Sequence, residues 1–184
     1  GTCYDGHKIF SMLNNSKKDE SISIFKNEKK IWQITKSYNK QQFSDDETCL
    51  GYAIDIYQET INKTFREYLV NFKYLTRILE NYGFVPLTLD EIKQLDLPGS
   101  IGNFEEMYNF MNDEVKRSKS LVHKIGTSLE MSEEEKRISF LNNYFIFKKV
   151  VDVDIANIAK VVFSESSDKP KAVKIKRIRL VKKI

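Results

Sequence analysis

The chain has 184 residues and a mass of 21.6 kDa, enough for one domain of ordinary size. Its 41% hydrophobic and 30% charged residues are typical of globular proteins, and its formal net charge is +4. No apolar run is long enough to cross a membrane and no signal-peptide pattern is present, so we expect no membrane partner. The two cysteines stand alone, which favours a reducing, intracellular location.

The first part of the chain predicts a short helix and a hairpin. Asp5 has the character of a helix N-cap, and the helix that follows has one apolar face, formed by Ile9, Phe10 and Leu13. Residues 21–25 and 30–34 are rich in β-branched and aromatic side chains and predict two strands joined at Asn27 and Glu28.

A loop, a strand and a long helix are predicted next. Residues 37–48 are polar and predict an exposed loop, and residues 51–59 alternate as a strand does. Residues 66–82 predict the strongest helix of the chain, closed by Gly83, which places Glu67 in its first turn. The predicted apolar face of this helix consists of Tyr68, Leu69, Phe72, Leu75, Leu79 and Tyr82.

The second half continues the alternation of helices and strands. The predicted elements are a strand at 84–87, a helix with a capping box at Thr88 and Glu91, a helix at 103–116, a helix with a capping box at Ser132 and Glu135, and a buried strand at 144–147. This order favours an α/β fold, in which helices cover a sheet whose strands are antiparallel in at least part.

The C-terminal end differs from the rest in charge. Residues 169–184 hold eight of the 30 Lys and Arg residues and no acid, which leaves 22 basic against 26 acidic residues in the remainder. Such a block of like charge is typical either of an arm that binds nucleic acid or of a solvated tail. The candidate phosphate contacts in this arm are Lys174, Lys176, Arg177 and Arg179.

Several kinds of site are excluded by what the sequence lacks. The 7 glycines are scattered, and they form neither a P-loop nor a dinucleotide-binding turn. Two cysteines, Cys3 and Cys49, and two histidines, His7 and His123, do not supply a zinc set or a credible nucleophile with its base. We therefore expect no metal and no catalytic triad.

What remains is a set of aromatic and acidic side chains. It comprises Tyr4 and Asp5 at a turn, Glu67 and Tyr144. Aromatic faces stack on nucleobases, and a carboxylate can accept hydrogen bonds from the N1 and amino hydrogens of guanine. Each residue also has a structural interpretation, because Asp5 can cap a helix, Glu67 can favour a helix N-terminus and Tyr144 can belong to the core.

Four segments resemble the mRNA cap (guanine-N7) methyltransferases, in particular the capping enzymes of large DNA viruses. Residues 1–6 (Gly-Thr-Cys-Tyr-Asp-Gly) resemble the Gly-Thr loop of the family, with Tyr4 in place of its proline. Residues 67–70 (Glu-Tyr-Leu-Val) resemble its Glu-Tyr-Leu-Val signature. Two further segments, 101–108 and 139–149, resemble the region that follows the signature and the last strand of the family domain.

The resemblance implies a class I (Rossmann-like) methyltransferase fold with a mixed sheet, S-adenosylmethionine as methyl donor, and a capped mRNA 5′ end as substrate. By resemblance Glu67 would hold the guanine edge, with Tyr4 and Asp5 near the cap. The family's guanine-contacting tyrosine aligns without gaps to Asn142, and Tyr144 lies two residues further on the same strand face. A viral protein would work in the host cytoplasm or the virion, and a cellular one in the nucleus.

The same resemblance implies that this chain corresponds to the C-terminal, cap-binding half of the domain at residues 1–150, followed by an extension with the basic arm at 151–184. The donor-binding strands of the family would lie upstream of Gly1, on the same polypeptide or on another capping-enzyme subunit. Two alternatives remain open, namely a non-catalytic methyltransferase-like partner subunit and an RNA-binding module that depends on the basic arm.

Overall fold

The computed structural model describes residues 1–154 and 156–157 of the chain. The strands of this part are β1 (Thr2–Tyr4), β2 (Ser21–Lys26), β3 (Lys29–Lys36), β4 (Ala53–Gln58), β5 (Lys63–Tyr68), β6 (Phe84–Pro86), β7 (Ile101–Asn103), β8 (Asn142–Phe145) and β9 (Phe147–Lys149). The helices are α1 (Gly6–Met12), α2 (Phe72–Asn81), α3 (Leu89–Gln94), α4 (Phe104–Arg117), α5 (Val122–Ile125) and α6 (Glu133–Ser139). The predicted basic arm, including Lys174, Lys176, Arg177 and Arg179, lies outside the described residues.

Strands β2 to β5 form a four-stranded antiparallel meander, in the order β2-β3-β4-β5. The two strands of the predicted hairpin are confirmed, and Asn27 and Glu28 connect them with positive φ angles of 49° and 65°. Two consecutive residues with positive φ angles form a tight turn whose twist matches that of the two strands it connects. The predicted strand at 51–59 is also confirmed, as β4.

The predicted helix over 66–82 is wrong in its first six positions. Strand β5 extends to Tyr68 because it pairs with β4 along its whole length, and the backbone N–H of Leu69 still donates to the carbonyl of Tyr52. The helix begins at Phe72, where the Asn71 side chain accepts hydrogen bonds from two backbone N–H groups of the first turn. Glu67 therefore lies on a strand and not in a helical turn.

The remaining strands form two small sheets, β1-β8-β7 and β6-β9. Every strand pair in the described residues is antiparallel, and the parallel contact there is one isolated bridge between Asp5 and Val70. The chain thus mixes helices with sheets as the sequence predicts, although its described strands do not form one mixed sheet. The strand predicted at 144–147 is divided at Ile146 between β8 and β9.

The core lies between α1 and one face of the meander. The inner face of the meander is the one that presents the buried side chains of Trp32, Ile34, Ile54 and Ile56. These form one cluster with Ile9 of α1 and with Leu13, the residue directly after this helix. Because α1 carries its apolar residues on one side, it covers this face while Lys8 stays at the margin, where its ammonium donates to the Phe140 carbonyl.

The segment at 37–48 is less exposed than predicted. Tyr38 is buried, and Phe43 packs with Phe10 and Tyr52 in an aromatic cluster whose ring centroids lie 5.1 to 6.2 Å apart. Pairs of aromatic rings at such separations stabilise a fold beyond their simple burial. The segment was predicted to be exposed because most of its residues are polar. Its two aromatic side chains, Tyr38 and Phe43, nevertheless attach it to the core.

Local helix signals agree closely with the structure. Asp5, Thr88, Asn103 and Ser132 are the N-caps of α1, α3, α4 and α6, and Thr88 and Ser132 form complete capping boxes with Glu91 and Glu135. Within the described residues, none of the helices combines the length and the hydrophobicity needed to span a bilayer.

Candidate functional site

Glu67 lies at the margin of the buried core. It pairs with Ile54 across β4 and β5, so the two side chains point to the same, inner face of the meander. Its side chain is half-buried, and this burial raises the pKa of its carboxyl group above the usual value. Among the described residues the carboxylate of Glu67 has no hydrogen bond or ion pair, so its oxygens remain available to accept hydrogen bonds from a ligand.

Cys3 and Tyr4 lie close to Glu67. Burial is the main cause that raises the pKa of the Cys3 thiol to about 11, and the negative charges of Asp5 and Glu67 add to the effect. Because a cysteine acts as a nucleophile in its thiolate form, this raised pKa makes Cys3 a poor nucleophile at neutral pH. The residues around Glu67 thus form a weakly solvated, acidic corner.

Tyr4 lies in the core and not on an open surface. Its side chain is buried, its hydroxyl accepts a hydrogen bond from Trp32 Nε1 at 2.9 Å, and Gln58 Nε2 lies 3.4 Å from the same oxygen. Burial raises the pKa of this phenol. This packing leaves little of the Tyr4 ring open to a base, and it makes Tyr4 a contact that positions β1 next to the meander. A contact of Tyr4 with guanine stays a prediction.

Asp5 uses both carboxylate oxygens within the fold. Oδ1 accepts from the backbone N–H groups of His7 and Lys8 at 2.9 and 3.2 Å, and Oδ2 accepts from Asn143 Nδ2 at 3.0 Å. The structural interpretation of Asp5 as a helix cap is confirmed. With both oxygens engaged, Asp5 is a support for the turn between β1 and α1 and has little capacity left for a ligand.

Tyr144 is also held by the fold. It is buried, its hydroxyl donates to the Gly99 carbonyl at 3.1 Å, and its ring lies so close to Gly102 that a Cβ there would come within 2.5 Å of the hydroxyl. Asn142 does not replace it, because its amide donates to the carbonyls of Ile138 and Ser139 at the end of α6.

Of the predicted site residues, Glu67, Tyr4 and Asp5 lie close together, and Tyr144 shares a sheet face with Tyr4. The register pairs Tyr144 with Thr2 and Tyr4 with Asn142, which places the two tyrosines on the same face at diagonal positions. Of these four side chains, that of Glu67 makes no hydrogen bond to any described group, whereas those of Tyr4, Asp5 and Tyr144 do, so Glu67 is the single strong candidate among the four.

Sequence reasoning overlooked Asn143, the partner of Asp5. Its Oδ1 is buried and has no hydrogen-bond partner among the described residues, whereas its Nδ2 donates to Asp5. No local pattern points to this pair, because the two residues are 138 positions apart. Through this bond Asn143 attaches the turn between β1 and α1 to β8.

The sequence predicted no catalytic role for either histidine. In the structure, the His7 side chain contacts Asn71 and Asp45. His7 Nε2 lies 3.3 Å from Asn71 Nδ2 and 3.4 Å from Asp45 Oδ1, at the contact between α1, α2 and the preceding loop. The part of the chain that the structure describes contains no group of three or more His, Cys, Asp and Glu side chains that could hold a metal ion.

The comparison with protein-family models and the comparison with curated proteins found no match to this chain.

Proposed function

We propose that this chain supplies the cap-binding side of an mRNA cap (guanine-N7) methyltransferase, with Glu67 as the acceptor for the guanine edge. The observation that supports this proposal is the desolvated carboxylate of Glu67, whose pKa is raised by burial and which no described donor satisfies. The Glu-Tyr-Leu-Val resemblance at residues 67–70 is consistent with the same role.

A carboxylate in this position favours guanine over adenine. Guanine presents two donors on one edge, the N1 and amino hydrogens, and a carboxylate can accept both in a bidentate pair. Adenine presents an acceptor at N1, which would face the carboxylate with a second lone pair. A good bidentate contact of this kind is worth roughly 1–3 kcal/mol of discrimination between bases.

The other three predicted contacts have a supporting role in this proposal. The bond between Tyr4 and Trp32 holds β1 against the meander, and the bond between Asp5 and Asn143 holds the turn after β1. These bonds fix the chain next to Glu67, so that the carboxylate meets its ligand without rearrangement. Preorganised positioning is the main requirement here, because guanine N7 reacts through its own lone pair and needs no base.

The cavities of the described residues offer no free carboxylate for the ribose of S-adenosylmethionine, and the sequence has no glycine-rich turn between a strand and a helix. The cavity of about 260 Å³ beside α4 has no acidic residue in its lining. A second cavity, of about 270 Å³, is lined by Glu59 and Glu135 among others, but Glu59 is paired with Lys29 and Glu135 with Lys26. The proposal therefore assigns the described residues the acceptor side alone, and the methyl donor would bind to other residues, in an upstream half or a partner capping subunit.

The basic arm completes the proposal on the RNA side. Eight Lys and Arg residues within 169–184, with no acid among them, would attract the phosphates downstream of the cap, and Lys174, Lys176, Arg177 and Arg179 are the candidate contacts. Their contribution would be independent of base sequence and would weaken as salt is added.

The experiment that tests the proposal is a titration of the chain with two unmethylated dinucleoside triphosphate analogues, one with guanosine ends and one with adenosine ends. We expect the wild-type chain to prefer the guanosine analogue, and Glu67→Gln to remove most of that preference. Glu80→Gln, which removes an exposed carboxylate at the end of α2, is the matched control and should bind as the wild type does. Equal loss of both ligands in Glu67→Gln would contradict the proposed role.

One observation favours a second candidate, the non-catalytic methyltransferase-like partner subunit. Tyr4, Asp5 and Tyr144 are all engaged within the fold, as they would be in a protein that keeps the architecture without binding a cap. This alternative predicts a stable complex with a separate catalytic subunit and no effect of Glu67→Gln on the cap affinity of that complex.

A further inference from the structure

The inner edge of β5 presents three different side chains in a row. Lys63, Phe65 and Glu67 pair with Gln58, Ile56 and Ile54 of β4, and directly paired residues share a face of the sheet. Strand β5 is the last strand of the meander order, so these three side chains lie along its margin. Alternate residues of a strand are about 7 Å apart, which places a cation, an aromatic ring and a carboxylate in a line roughly 13 Å long.

Phe65 is the unexpected member of this row. Its strand partner Ile56 is 1% exposed, whereas Phe65 is 43% exposed although it points to the same face. An aromatic ring that remains in solvent next to a desolvated carboxylate offers a stacking surface beside a hydrogen-bond acceptor. Stacking of a base on an aromatic side chain is worth roughly 1–3 kcal/mol.

The outer face of the same strand lacks this combination. Arg66 is bound to Asp55 by two hydrogen bonds of 2.9 Å, so its guanidinium and the facing carboxylate satisfy each other. Lys63, in contrast, is exposed and makes no ion pair with any described residue. The inner margin is therefore the side of β5 on which an acceptor and a cation both remain available to a ligand.

We propose that a guanine nucleotide lies along this margin, with its base stacked on Phe65, its N1 and amino edge at Glu67 and its phosphates at Lys63. This inference rests on the proposed function. It adds Phe65 as the stacking residue, Lys63 as the phosphate contact, and the direction in which the RNA strand runs. The charges are complementary at both ends, since the carboxylate meets the donors of the base and the ammonium meets the phosphates. The downstream RNA would leave past the turn between β4 and β5.

The test separates the base contact from the phosphate contact by comparing guanosine with GTP in NMR titrations of the 184-residue chain. Phe65→Leu keeps the side-chain volume but removes the ring, and we expect it to weaken guanosine and GTP alike by about tenfold. Phe65→Trp keeps a stacking surface and should bind both ligands as the wild type does. Lys63→Ala should weaken GTP several-fold, leave guanosine unchanged and reduce the salt dependence of GTP binding by about one phosphate contact.

Two control variants come from other exposed positions. Tyr68→Leu removes an aromatic ring that is 58% exposed on the outer face of the same strand, and Lys18→Ala removes an exposed lysine in the loop before β2. Both should bind guanosine and GTP as the wild type does. Circular dichroism melting curves that superimpose on the wild-type curve will establish that each variant is folded.

The possible failures are distinguishable. If Glu67→Gln removes the preference for guanine while Phe65→Leu and Lys63→Ala bind as the wild type does, the proposed function stands and the placement along β5 is overturned. If the wild-type chain binds guanosine and adenosine equally and Glu67→Gln changes neither affinity, the proposed function fails and this inference fails with it.

Discussion

The indole N–H of Trp32 donates a hydrogen bond to the hydroxyl of Tyr4 at 2.9 Å, and this bond joins the first strand of the chain to the centre of the meander. The two rings are tilted at 51° with centroids 6.3 Å apart. Trp32 is almost fully buried, so its N–H depends on this acceptor. The contact fixes β1, and with it the turn that lies next to Glu67.

Replacing Tyr4 with Phe should destabilise the fold without affecting a nucleotide ligand directly. The change leaves the buried N–H of Trp32 without its acceptor, which costs about 1–3 kcal/mol. Urea unfolding of Tyr4→Phe will measure this loss. Tyr57→Phe is the control, because among the described residues the Tyr57 hydroxyl bonds to the exposed Asn62 alone, and its effect should be close to zero. An unchanged unfolding midpoint for Tyr4→Phe would contradict the structural role of Tyr4.

Lys36 should be a strong contributor to stability despite its charge. It is 4% exposed, and its ammonium donates to the carbonyls of Leu13 and Ser16 at 3.0 and 2.9 Å, just beyond the end of α1. A buried ammonium in this place is compensated by two carbonyl acceptors of the turn that follows the helix, and removing it would leave the Ser16 carbonyl without this donor. We expect Lys36→Met, which keeps the aliphatic stem, to lower the free energy of unfolding by about 2 kcal/mol.

The matched control for Lys36 is Lys18→Met, at an exposed position of the neighbouring loop. Chemical denaturation of the two variants, compared with the wild type, gives the difference directly. If Lys36→Met and Lys18→Met unfolded at the same denaturant concentration, the bonds to the two carbonyls would contribute nothing measurable.

Glu67 should make stability depend on pH in the direction opposite to most carboxylates. Burial raises the pKa of its carboxyl group in the folded chain, so the folded state holds the proton more tightly than the unfolded state does. Its contribution is therefore complete below the unfolded pKa and is lost as the pH rises through the raised, folded pKa. Because Glu67 is only half-buried, solvent screening should keep the effect below about 1 kcal/mol.

The measurement is the difference in unfolding free energy between the wild type and Glu67→Gln. It is made over a pH series that runs from below the unfolded pKa of Glu67 to above its raised, folded pKa. We expect the wild type to lose stability relative to Glu67→Gln as the pH rises, and then to reach a plateau. A difference that stays constant with pH would show that the carboxyl group is not desolvated.

Asp45 should behave in the opposite way. A hydrogen bond from Lys73, together with one from Asn71, holds the pKa of its carboxyl group at about 2, below the ordinary 3.8. Its stabilising contribution is present above the unfolded pKa and is lost as the pH falls towards 2. We expect Asp45→Asn to loosen residues 37–48 from α2 at neutral pH, seen as faster amide hydrogen exchange in this segment.

The control for Asp45 is Asp19→Asn, which removes an exposed carboxylate from a residue whose positive φ of 69° asparagine also tolerates. Exchange rates of residues 37–48 should be unchanged in this variant. Equal rates in Asp45→Asn and in the wild type would mean that the contacts with Lys73 and Asn71 do not retain the loop.

Local signals in the sequence predicted the elements that depend on neighbouring residues. The hairpin at Asn27 and Glu28 and the capping boxes at Thr88 and Ser132 are formed by side chains within a few positions of each other, and the structure has all three. Such signals are sufficient because the turn or the cap satisfies its hydrogen bonds locally.

The start of α2 could not be predicted in the same way. Tyr68, Leu69 and Phe72 fit the spacing of a helix, and this pattern extended the predicted helix back to Arg66. The pairing of β5 with β4 and the bond between Arg66 and Asp55 decide for a strand, and both depend on residues about ten positions away. The same limitation concealed the contacts of Tyr4 with Trp32 and of Asp5 with Asn143. In the candidate site, the sequence predicted Glu67 as a ligand-binding residue but not its burial or its place on the sheet.

The most direct test of the central claim is a crystal structure of the chain with an unmethylated guanosine dinucleoside triphosphate. The account predicts that the Glu67 carboxylate lies within hydrogen-bond distance, about 2.7–3.2 Å, of both N1 and the amino nitrogen of one guanine. A cap analogue bound away from β5, with the Glu67 carboxylate not in contact with it, would contradict the account.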